Sequence, residues 1–496
     1  MNKQNYLLTF ALYSQTKRSM YKKTKIVATI SDKRCDVDFL RSLFENGMNV
    51  VRLNTAHQNH EQALKVINNV RKVSEKIAIL LDTKGPEIRT NAMDEDLAVK
   101  RGDIIKMKGK PGEPCSGNCI HLSYAGFVDD VKPGAKILID DGILELVAKE
   151  KDDDYLLCEV QNNGKIQGHK SVNIPSAMIK LPALTEKDMD FIRFAAANNL
   201  DFIAHSFVRK PEDVIAVQSI LDAMGSPIKI IAKIENREGV ENLDAILEKV
   251  YGIMVARGDL GIEISAQKLP VVQKEMINKC VEARKPVIVA TQMLHTMIEN
   301  PMPTRAEVND IANAIFEGAD AVMLSGETAY GKYPLEAVRM MNSIAREVEA
   351  SLPAMRRLKP FVMSTEKAAF MVKAAVEATV DLPVRTIIAD TSSGNTVRGL
   401  AAYRGKKLIY AQCYSKQTMR ALALSYGVYA DYIEIGENHG EFLRQALRNL
   451  VERSYFKKDD MVAVVAGNFG KSGGTSFLEI GTIGELSQFV SADLTI

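Results

Sequence analysis

The stretches KIIAKIENREGV, at residues 229–240, and GIMVARGDLG, at residues 252–261, decide the fold. Each stretch begins with a short, nearly continuous apolar run, and an amphipathic helical segment separates the two runs. Runs of this kind are typical of parallel strands that helices cover on both faces of the sheet. The chain contains eight such runs: KIVATI from Lys25, NVVRLN from Asn49, IAILLDT from Ile77, FIAHS from Phe202, KIIAKI from Lys229, GIMVAR from Gly252, PVIVAT from Pro286 and AVMLS from Ala321.

Eight strand and helix units match the closed (β/α)8 barrel, the TIM barrel, so we predict an α/β protein built on this barrel. The helices between the runs carry matching signals. Thr304 and Glu307 fit a capping box at a helix start, and Gly318 stands where that helix is predicted to end.

Two parts of the chain depart from the barrel pattern. Residues 88–172 change to short strands with Gly, Asp and Asn turns, among them a hairpin turn at Asp141-Gly142, which predicts an inserted β-barrel-like lid. After Leu352-Pro353 helices and strands alternate again, which predicts a C-terminal open α/β domain. We therefore expect these parts: a disordered or extended tail at 1–20, a barrel domain at 21–87 and 173–352, a lid domain at 88–172 and a C-terminal α/β domain at 353–496.

Composition and charge restrict the classes of partner. The 64 basic and 62 acidic side chains nearly cancel, with a formal net charge of +2, so neither nucleic acid nor a membrane surface is expected as a partner. No apolar run approaches the length of a membrane-spanning helix. Six cysteines without a disulfide-scaffold spacing suit a reducing compartment, and we expect a cytoplasmic location. The apolar residues 6–13 lack a signal-peptide cleavage site, and Met20 is an alternative start to Met1.

Polar residues gather at the predicted strand ends. The carboxyl ends of the strands and the loops after them form the active-site face of a parallel barrel. Arg52 and Asn54 are two residues apart, as are Lys233 and Glu235, so each pair projects to one side of its strand. Other strand ends carry Asp82, Asp259, Thr291, Ser325 and Glu327. A single strand-end pair is also typical of an ordinary salt bridge, but the convergence of so many polar ends predicts an active site.

The residue types at these ends suit phosphoryl transfer. Glu235 and Asp259 offer hard carboxylate oxygens to Mg²⁺ or Mn²⁺, which keeps its remaining positions for water and substrate. Lys233 and Arg52 supply positive charge against the equatorial oxygens of the moving phosphoryl group.

Several motifs resemble those of the pyruvate kinase family: MNVVRLN, LLDTKGPEIRT, KIENREGV, MVARGDLGIEI, ATQML and PTRAEVNDIANAIFEGADAVMLSGETAYGKYPLEAV. The resemblance spans nearly the whole chain, and the order of barrel, lid and regulatory domain fits as well. It implies that phosphoenolpyruvate and ADP give pyruvate and ATP in glycolysis, by way of a magnesium-stabilised enolate that is then protonated. It also implies a homotetramer.

The resemblance implies roles for the strand-end residues. Lys233 is expected to stabilise the transition state, and Glu235 and Asp259 are expected to hold the divalent metal. The residues expected to bind substrate are Arg52, Lys233, Gly258, Asp259 and Thr291. The residues expected to organise the water that protonates the enolate are Thr291, Ser325 and Glu327, and which group is the acid stays open. The positions expected to reach the nucleotide are Asn54, His57, Arg89 and Lys170, the last at the hinge of a closing lid.

The resemblance also implies a monovalent cation. Glu87 resembles the potassium-dependent form, in which Asn54, Asp82 and Thr83 are ligands. This chain departs from that form, because the family's RLNFSH reads RLNTAH and Ala56 replaces a coordinating hydroxyl. We expect potassium dependence all the same, with either a water in place of the hydroxyl or a weaker selectivity. This chain departs from the family pattern a second time after the first strand, where TISDKR replaces TIGPAS. Asp32 then stands where a proline of the family approaches the nucleotide, so the residues that contact the adenine are not assigned.

Two further sets of residues suggest ligand sites. One loop of the C-terminal domain has hydroxyls and glycine at a predicted helix start, and a phosphorylated effector is expected on these residues: Thr391, Ser392, Ser393, Gly394, Asn395 and Thr396. Residues 470–475, GKSGGT, form a similar loop, and helix capping without an effector is the alternative. Cys115, Cys119 and His121 give only three zinc ligands at a non-standard spacing, so we expect a plain β loop there.

Two rival functions deserve comparison with the kinase. A magnesium-dependent enolate lyase or aldolase on a related barrel needs no nucleotide, and the lid, Lys233 and the C-terminal domain argue against it. A non-catalytic metabolite-binding regulator is expected to lose catalytic groups, yet all of them are present: Arg52, Lys233, Glu235, Asp259 and Thr291.

Overall fold

The computed structural model describes residues 22–175, 177–356, 363, 365–435, 439–452, 456–467 and 474–488. The predicted tail at 1–20, including Met20, lies outside the described residues. Within them no helix is long and apolar enough to cross a membrane.

Eight parallel strands close into a barrel, which confirms the TIM-barrel prediction. Each predicted apolar run contributes one strand. With all strands numbered in chain order, the barrel strands are β1 (Lys25–Thr29), β2 (Val50–Asn54), β3 (Ala78–Asp82), β12 (Phe202–His205), β13 (Lys229–Ile234), β14 (Gly252–Ala256), β15 (Val287–Ala290) and β16 (Ala321–Leu324). β1 pairs with both β2 and β16, which closes the cylinder.

Helices surround the barrel. They are α1 (Val37–Glu45), α2 (His60–Val73), α4 (Glu186–Ala197), α5 (Pro211–Ala223), α6 (Arg237–Glu241), α7 (Leu243–Lys249), α8 (Arg257–Glu263), α9 (Leu269–Glu282), α10 (Arg305–Glu317), α11 (Gly326–Ala329) and α12 (Pro334–Ser351). Short 3-10 turns lie at Ala266–Lys268 and His295–Ile298. Thr304 and Glu307 form the predicted capping box of α10, and Gly318 ends that helix with a φ of 102°. A left-handed φ of this kind costs glycine little.

Alternation along the strands separates two cores. Val50, Leu80 and Ile231 belong to a cluster inside the barrel, whereas their neighbours Val51 and Ile230 pack in the layer between strands and helices. Two residues beyond each interior residue stand Arg52, Asp82 and Lys233. The interior face therefore continues from apolar side chains into charged ones at the carboxyl ends of the strands.

The lid is made of short strands between β3 and β12. They are β4 (Leu97–Val99), β5 (Ile104–Gly109), β6 (Cys119–Leu122), β7 (Lys136–Ile139), β8 (Leu144–Lys151), β9 (Leu156–Val160), β10 (Gly164–Ile166) and β11 (Val172–Asn173), with the one-turn helix α3 (Phe127–Asp130). β7 and β8 form the predicted hairpin around Asp141-Gly142. Six strands pair in the order β11-β7-β8-β9-β5-β6. Isolated bridges from Arg89 to Ser171 and from Thr90 to Leu122 link the two edges of this sheet, so the lid is barrel-like without a continuous closing strand.

The C-terminal part is a separate open α/β unit, as predicted. Its strands are β17 (Thr386–Thr391), β18 (Ile409–Cys413), β19 (Val428–Tyr432), β20 (Met461–Ala466) and β21 (Phe477–Thr482), in the order β19-β18-β17-β20-β21. β21 alone runs antiparallel, at one edge. The helices are α13 (Glu366–Asp381), α14 (Asn395–Ala402), α15 (Lys416–Ala421), α16 (His439–Glu452) and α17 (Ile483–Gln488), with a 3-10 turn at Leu422–Leu424.

Candidate active site

Lys233 stands at the centre of the barrel mouth. Its ammonium lies 3.0 Å from Asp82 Oδ1 and 2.9 Å from Glu235 Oε1, and it donates a 2.7 Å hydrogen bond to Ser206 Oγ. β13 presents Lys233 on the interior face, two residues beyond the buried Ile231. The side chain is buried, so its position is fixed by these three partners rather than by solvent.

Arg52 supplies a second cation beside Lys233. Its Nε lies 2.6 Å from Asp82 Oδ2, and its Nη1 donates a 3.0 Å hydrogen bond to Thr29 Oγ1. Asp82 is fully buried. Each of its carboxylate oxygens has one cationic partner, Lys233 on Oδ1 and Arg52 on Oδ2. The structure thus places two positive side chains around one buried carboxylate.

The charges of this cluster hold one another in the ionised state. Burial alone raises the pKa of Asp82, but Arg52 and Lys233 outweigh it and the pKa falls below its usual value. Burial likewise lowers the pKa of Lys233, but Asp82 and Glu235 outweigh it and the pKa rises. Lys233 therefore acts as a permanent cation, not as a proton donor.

Glu235 and Asp259 form a pair of carboxylates beside Lys233. Glu235 is 1% exposed, and its Oε2 accepts a 2.7 Å hydrogen bond from the backbone N–H of Phe207. Burial raises the pKa of Glu235 to about 7, with Lys233 opposing the rise and Asp259 adding to it. Burial also raises the pKa of Asp259, which lies in the first turn of α8. For Asp259, Lys233 and a hydrogen bond with Glu235 oppose the rise in pKa that burial causes. Two neighbouring carboxylates that burial disfavours in the ionised state are an arrangement that a bound cation relieves.

Thr291 follows β15 in a strained backbone conformation. Its φ is 69°, and Gln292 after it has a φ of 55°. A β-branched residue rarely adopts positive φ, and such strain clusters at functional sites. Thr291 Oγ1 accepts a 2.7 Å hydrogen bond from the backbone N–H of Gly258 and donates a 2.6 Å bond to the carbonyl of Ala290. The predicted substrate residues Thr291 and Gly258 are thus in direct contact.

Glu327 joins the loops that follow β15 and β16. Its Oε1 accepts a 3.1 Å hydrogen bond from the backbone N–H of Leu294, and its Oε2 a 2.7 Å bond from that of Ser325. Glu327 is 2% exposed. Both carboxylate oxygens are therefore committed to backbone, which makes Glu327 a positioning residue for the loops that carry Thr291 and Ser325.

The residues predicted for the monovalent cation lie together on β2 and β3. Asn54 and Asp82 are register partners on the two strands. Asn54 Oδ1 accepts a 3.1 Å hydrogen bond from the backbone N–H of Ala56, and Thr83 Oγ1 accepts a 3.0 Å bond from that of Ser206. Ala56 thus stands beside the amide oxygen of Asn54 but offers only a methyl group.

The predicted nucleotide residues lie at the rim and in the lid. His57 is exposed in the loop after β2. Arg89 Nη2 lies 2.7 Å from Glu87 Oε2, and Lys170 Nζ lies 3.0 Å from Asp140 Oδ1. The backbone N–H of Lys170 donates a 2.9 Å hydrogen bond to Thr90 Oγ1, which ties Lys170 to the root of the lid. Asp32, at the second sequence departure, accepts a 3.2 Å hydrogen bond from Gln62 Nε2.

The predicted effector loop lies between β17 and α14. Gly394 has a φ of 83°, and its N–H donates a 2.8 Å hydrogen bond to Thr391 Oγ1. Thr396 Oγ1 lies 2.7 Å from Thr475 Oγ1, which brings the end of the second loop to the first. Residues 470–473 of that second loop lie outside the described residues.

Cys115, Cys119 and His121 lie in one corner of the lid. Cys119 Sγ is 3.6 Å from His121 Nε2, and the backbone N–H of His121 donates a 3.3 Å hydrogen bond to Cys115 Sγ. Nowhere in the described residues do three or more His, Cys, Asp or Glu side chains come together as metal ligands.

Ser206 is a site residue that the sequence analysis missed. Its Oγ accepts from Lys233 and lies 3.3 Å from Asp82 Oδ1 and 2.6 Å from the carbonyl oxygen of Thr83. Ser206 comes directly after β12, at a strand end like the other site residues. That position could have identified it as a site residue from the sequence. Gly85 packs against it, since a Cβ on Gly85 would lie 2.8 Å from Ser206 Cβ.

Comparison with known proteins matches this architecture. The family model described as "Pyruvate kinase, barrel domain" matches residues 21–338, and "Pyruvate kinase, alpha/beta domain" matches residues 370–481. The chain belongs to the pyruvate kinase family. The pyruvate kinase of Borreliella burgdorferi is 48% identical over 468 residues, which cover 93% of this chain and 98% of that protein. The pyruvate kinases of Geobacillus stearothermophilus and Bacillus licheniformis are 43% and 42% identical, each across 94% of this chain and 81% of the relative.

Membership of the pyruvate kinase family establishes the activity. The protein is a phosphotransferase that moves the phosphoryl group of phosphoenolpyruvate to ADP and produces pyruvate and ATP, a step of glycolysis. The lyase, aldolase and regulator alternatives are not favoured.

Proposed function

We propose that pyruvate kinase activity resides in the cluster around Lys233, with Lys233 and Arg52 stabilising the phosphoryl group as it moves. The observation that carries this assignment is the position of the Lys233 ammonium, 2.9 Å from Glu235 and 3.0 Å from Asp82, with Arg52 on the same aspartate. Two fixed cations in a buried mouth stabilise charge that develops in the transition state.

Glu235 and Asp259 are the proposed ligands of a divalent ion, Mg²⁺ or Mn²⁺. Carboxylate oxygens are the donors that these ions prefer, and burial raises the pKa of each carboxylate although Lys233 opposes the rise. A divalent ion, when bound, neutralises charge on the phosphoryl oxygens. Glu235 and Asp259 would supply only part of the coordination, and water and substrate oxygens would complete it.

Potassium is the proposed monovalent cation. Asn54 and Asp82 face each other across β2 and β3, and Thr83 follows directly, which provides oxygens at one place. Ala56 lacks the hydroxyl, so the site has one protein ligand fewer than the family pattern. Activity measured against potassium concentration tests the assignment, and full activity without any monovalent cation would contradict it.

Substrate and proton delivery are assigned to the loops after β14, β15 and β16. Thr291, Gly258 and Asp259 bind phosphoenolpyruvate beside Arg52 and Lys233, and the hydrogen bond from Gly258 to Thr291 supports their joint action. Thr291 and Ser325 organise the water that protonates the enolate, with Glu327 holding both loops in place.

The nucleotide and effector sites are proposed from the rim and the C-terminal domain. Asn54, His57, Arg89 and Lys170 would contact ADP, and lid closure would bring Lys170 to the phosphates. The loop at residues 391–396, beside Thr475, is the proposed site of a phosphorylated effector. A substrate saturation curve that no sugar phosphate or nucleotide alters would contradict that site.

The domain limits, location and assembly follow the same proposal. We assign the barrel domain to 21–87 and 173–352, the lid to 88–172 and the regulatory domain to 353–496, although β11 extends one residue past the lid limit. Cytoplasmic location suits a reduced, cysteine-containing glycolytic enzyme, since all six cysteines are free. A homotetramer is the proposed assembly, and a solution mass measurement tests it.

One experiment tests the central assignment. ADP-dependent pyruvate formation is measured for the wild type and for Lys233→Met, and loss of kcat by about 10²-fold or more is expected. Lys249→Met removes an exposed lysine from the last turn of α7, far from the mouth, and is expected to retain wild-type activity. Wild-type kcat in Lys233→Met would contradict the assignment.

A further inference from the structure

A cavity of about 270 Å³ lies between the barrel and the C-terminal domain. Apolar side chains line one side of it: Ile315, Phe316, Leu352 and Pro353. These residues belong to the end of α10 and to the segment after α12, at the amino-terminal ends of the barrel strands. The cavity is therefore on the opposite face of the barrel from Lys233. Its volume suits a small ligand more than a nucleotide.

Tyr426 contributes an unsatisfied hydroxyl to the cavity region. The side chain lines the cavity and is 2% exposed, and its hydroxyl has no hydrogen-bond partner among the described residues. Burial raises the pKa of this phenol, so the hydroxyl remains a protonated donor. Buried phenol groups without a partner are uncommon, because the lost hydration is not replaced.

Two arginines, Arg356 and Arg404, lie at the cavity wall. Arg404 lies 2.7 Å from Asp320 Oδ2 and stacks over the Tyr426 ring at 5.0 Å. Arg356 donates to the carbonyl of Glu317 at 2.9 Å and to the side-chain oxygen of Asn278, but no carboxylate of the described residues forms an ion pair with it. Arg404 is thus paired with a carboxylate, whereas Arg356 has neutral hydrogen-bond partners and only a through-space attraction to Glu282.

The approach of Arg356 depends on Gly318. A Cβ on Gly318 would clash with Arg356 Nη1, and Gly318 also has a φ of 102°. The helix end of α10 thus leaves room for the guanidinium at the cavity wall. Burial, together with the charge of Arg404, lowers the pKa of Arg356, and Glu282 opposes the shift.

We propose that this cavity binds a small carboxylate with an apolar or aromatic body. The carboxylate would pair with the Arg356 guanidinium and accept a hydrogen bond from Tyr426, and the apolar body would lie against Phe316, Leu352 and Pro353. Guanidinium and carboxylate form strong, charge-assisted hydrogen bonds. Because α10 belongs to the barrel and Arg404 and Tyr426 to the C-terminal domain, such a ligand would hold the two parts together.

Calorimetric titration of the intact protein with 3-phenylpropanoate tests the site. Saturating phosphoenolpyruvate with Mg²⁺ and K⁺, and no ADP, keeps the probe out of the active site. We expect one probe per chain, with a Kd tighter than roughly 5 mM for a specific ligand of this size. The uncharged 3-phenylpropanamide is expected to bind at least about 10-fold more weakly than 3-phenylpropanoate. Acetate lacks the apolar body and is expected to bind more weakly by a similar factor.

Two variants separate the contributions of charge and hydroxyl. Arg356→Gln is expected to weaken binding by about 10-fold or more, while the matched Arg193→Gln, an exposed arginine on α4, leaves it unchanged. Tyr426→Phe removes a hydroxyl that has no hydrogen-bond partner among the described residues, so the fold should tolerate it, and binding should weaken roughly 3- to 10-fold. Absence of binding to the wild type, equal binding of the amide, or wild-type binding by both variants would overturn the proposal.

Discussion

Lys233 donates a 2.7 Å hydrogen bond to the hydroxyl of Ser206, from β13 to the end of the neighbouring strand β12. Asp82 and Glu235 attract the ammonium by charge, whereas Ser206 is its one uncharged partner among the described residues. Ser206 also lies 2.6 Å from the carbonyl oxygen of Thr83, which fixes the hydroxyl. Ser206 therefore helps the two carboxylates to set the direction in which Lys233 points.

Replacement of Ser206 is expected to slow catalysis without abolishing substrate binding. In Ser206→Ala, Lys233 keeps its charge but loses one positioning bond, so kcat should fall about 10-fold while KM for phosphoenolpyruvate changes little. Steady-state pyruvate formation provides both constants. Ser206→Thr, which keeps a hydroxyl, should recover part of the loss, and Ser219→Ala, on the exposed side of α5, should have no effect. Unchanged kcat in Ser206→Ala would contradict the positioning role.

Replacement of Glu327 is expected to loosen the loops after β15 and β16. Glu327→Gln turns an amide N–H₂ toward a backbone N–H of Leu294 or Ser325, so one buried donor loses its acceptor. The free energy of unfolding should fall by about 1–3 kcal/mol. Urea unfolding measures this loss. Glu347→Gln, an exposed glutamate on α12, is the matched control, and an equal effect of both variants would argue against the proposed role of Glu327.

The barrel could be predicted because parallel strands buried on both faces have a strong local signature. Each apolar run, such as KIIAKI, coincides with a strand of the structure. Arg52 and Lys233 interrupt those runs two residues after Val50 and Ile231, so the period of a strand placed them on the interior face. The same local reasoning located the α10 capping box and its glycine end.

The remaining contacts depend on pairings between distant residues. The edges of the lid sheet meet through Thr90 with Leu122 and Arg89 with Ser171, and no local pattern specifies such a register. Ser206 and Glu327 gained their roles from the geometry of neighbouring loops, and both oxygens of Glu327 bond to backbone that carries no sequence signal. The cavity beside Tyr426 needs α10 and the C-terminal domain to meet, which periodicity within either one cannot show.

Acid is expected to destabilise the protein through His205. Burial lowers the pKa of His205 to about 4, although Asp213 and Asp188 oppose the shift, and neither ring nitrogen has a partner among the described residues. In the unfolded chain a histidine has a pKa of about 6.5. Between these two values the unfolded state binds a proton that the folded state does not, so stability falls as the pH drops from about 6.5 toward 4.

His205→Leu tests this linkage. The variant removes two unpaired ring nitrogens and the proton-binding group, so the loss of stability between pH 7 and pH 5 should be smaller than in the wild type by about 2 kcal/mol. Urea unfolding at both pH values gives the comparison. His60→Leu, at a histidine paired with Asp190 on the partly exposed side of α2, serves as the control. Parallel pH dependences of wild type and His205→Leu would contradict the assignment.

Restoring a hydroxyl at residue 56 is expected to strengthen potassium binding. The backbone N–H of Ala56 donates to Asn54 Oδ1, so a serine at this position would place an oxygen beside the proposed ligands Asn54, Asp82 and Thr83. One added ligand should lower the half-saturating potassium concentration by roughly 3- to 10-fold.

The measurement is pyruvate formation against potassium chloride, with tetramethylammonium chloride keeping the ionic strength constant because exposed charges respond to salt. Ala223→Ser, at the exposed end of α5, controls for a serine introduced elsewhere and should leave the curve unchanged. If Ala56→Ser also leaves the curve unchanged, residue 56 does not face the cation. The assignment of Asn54, Asp82 and Thr83 as potassium ligands would then be wrong, while the divalent ligands Glu235 and Asp259, on other strands, would be unaffected.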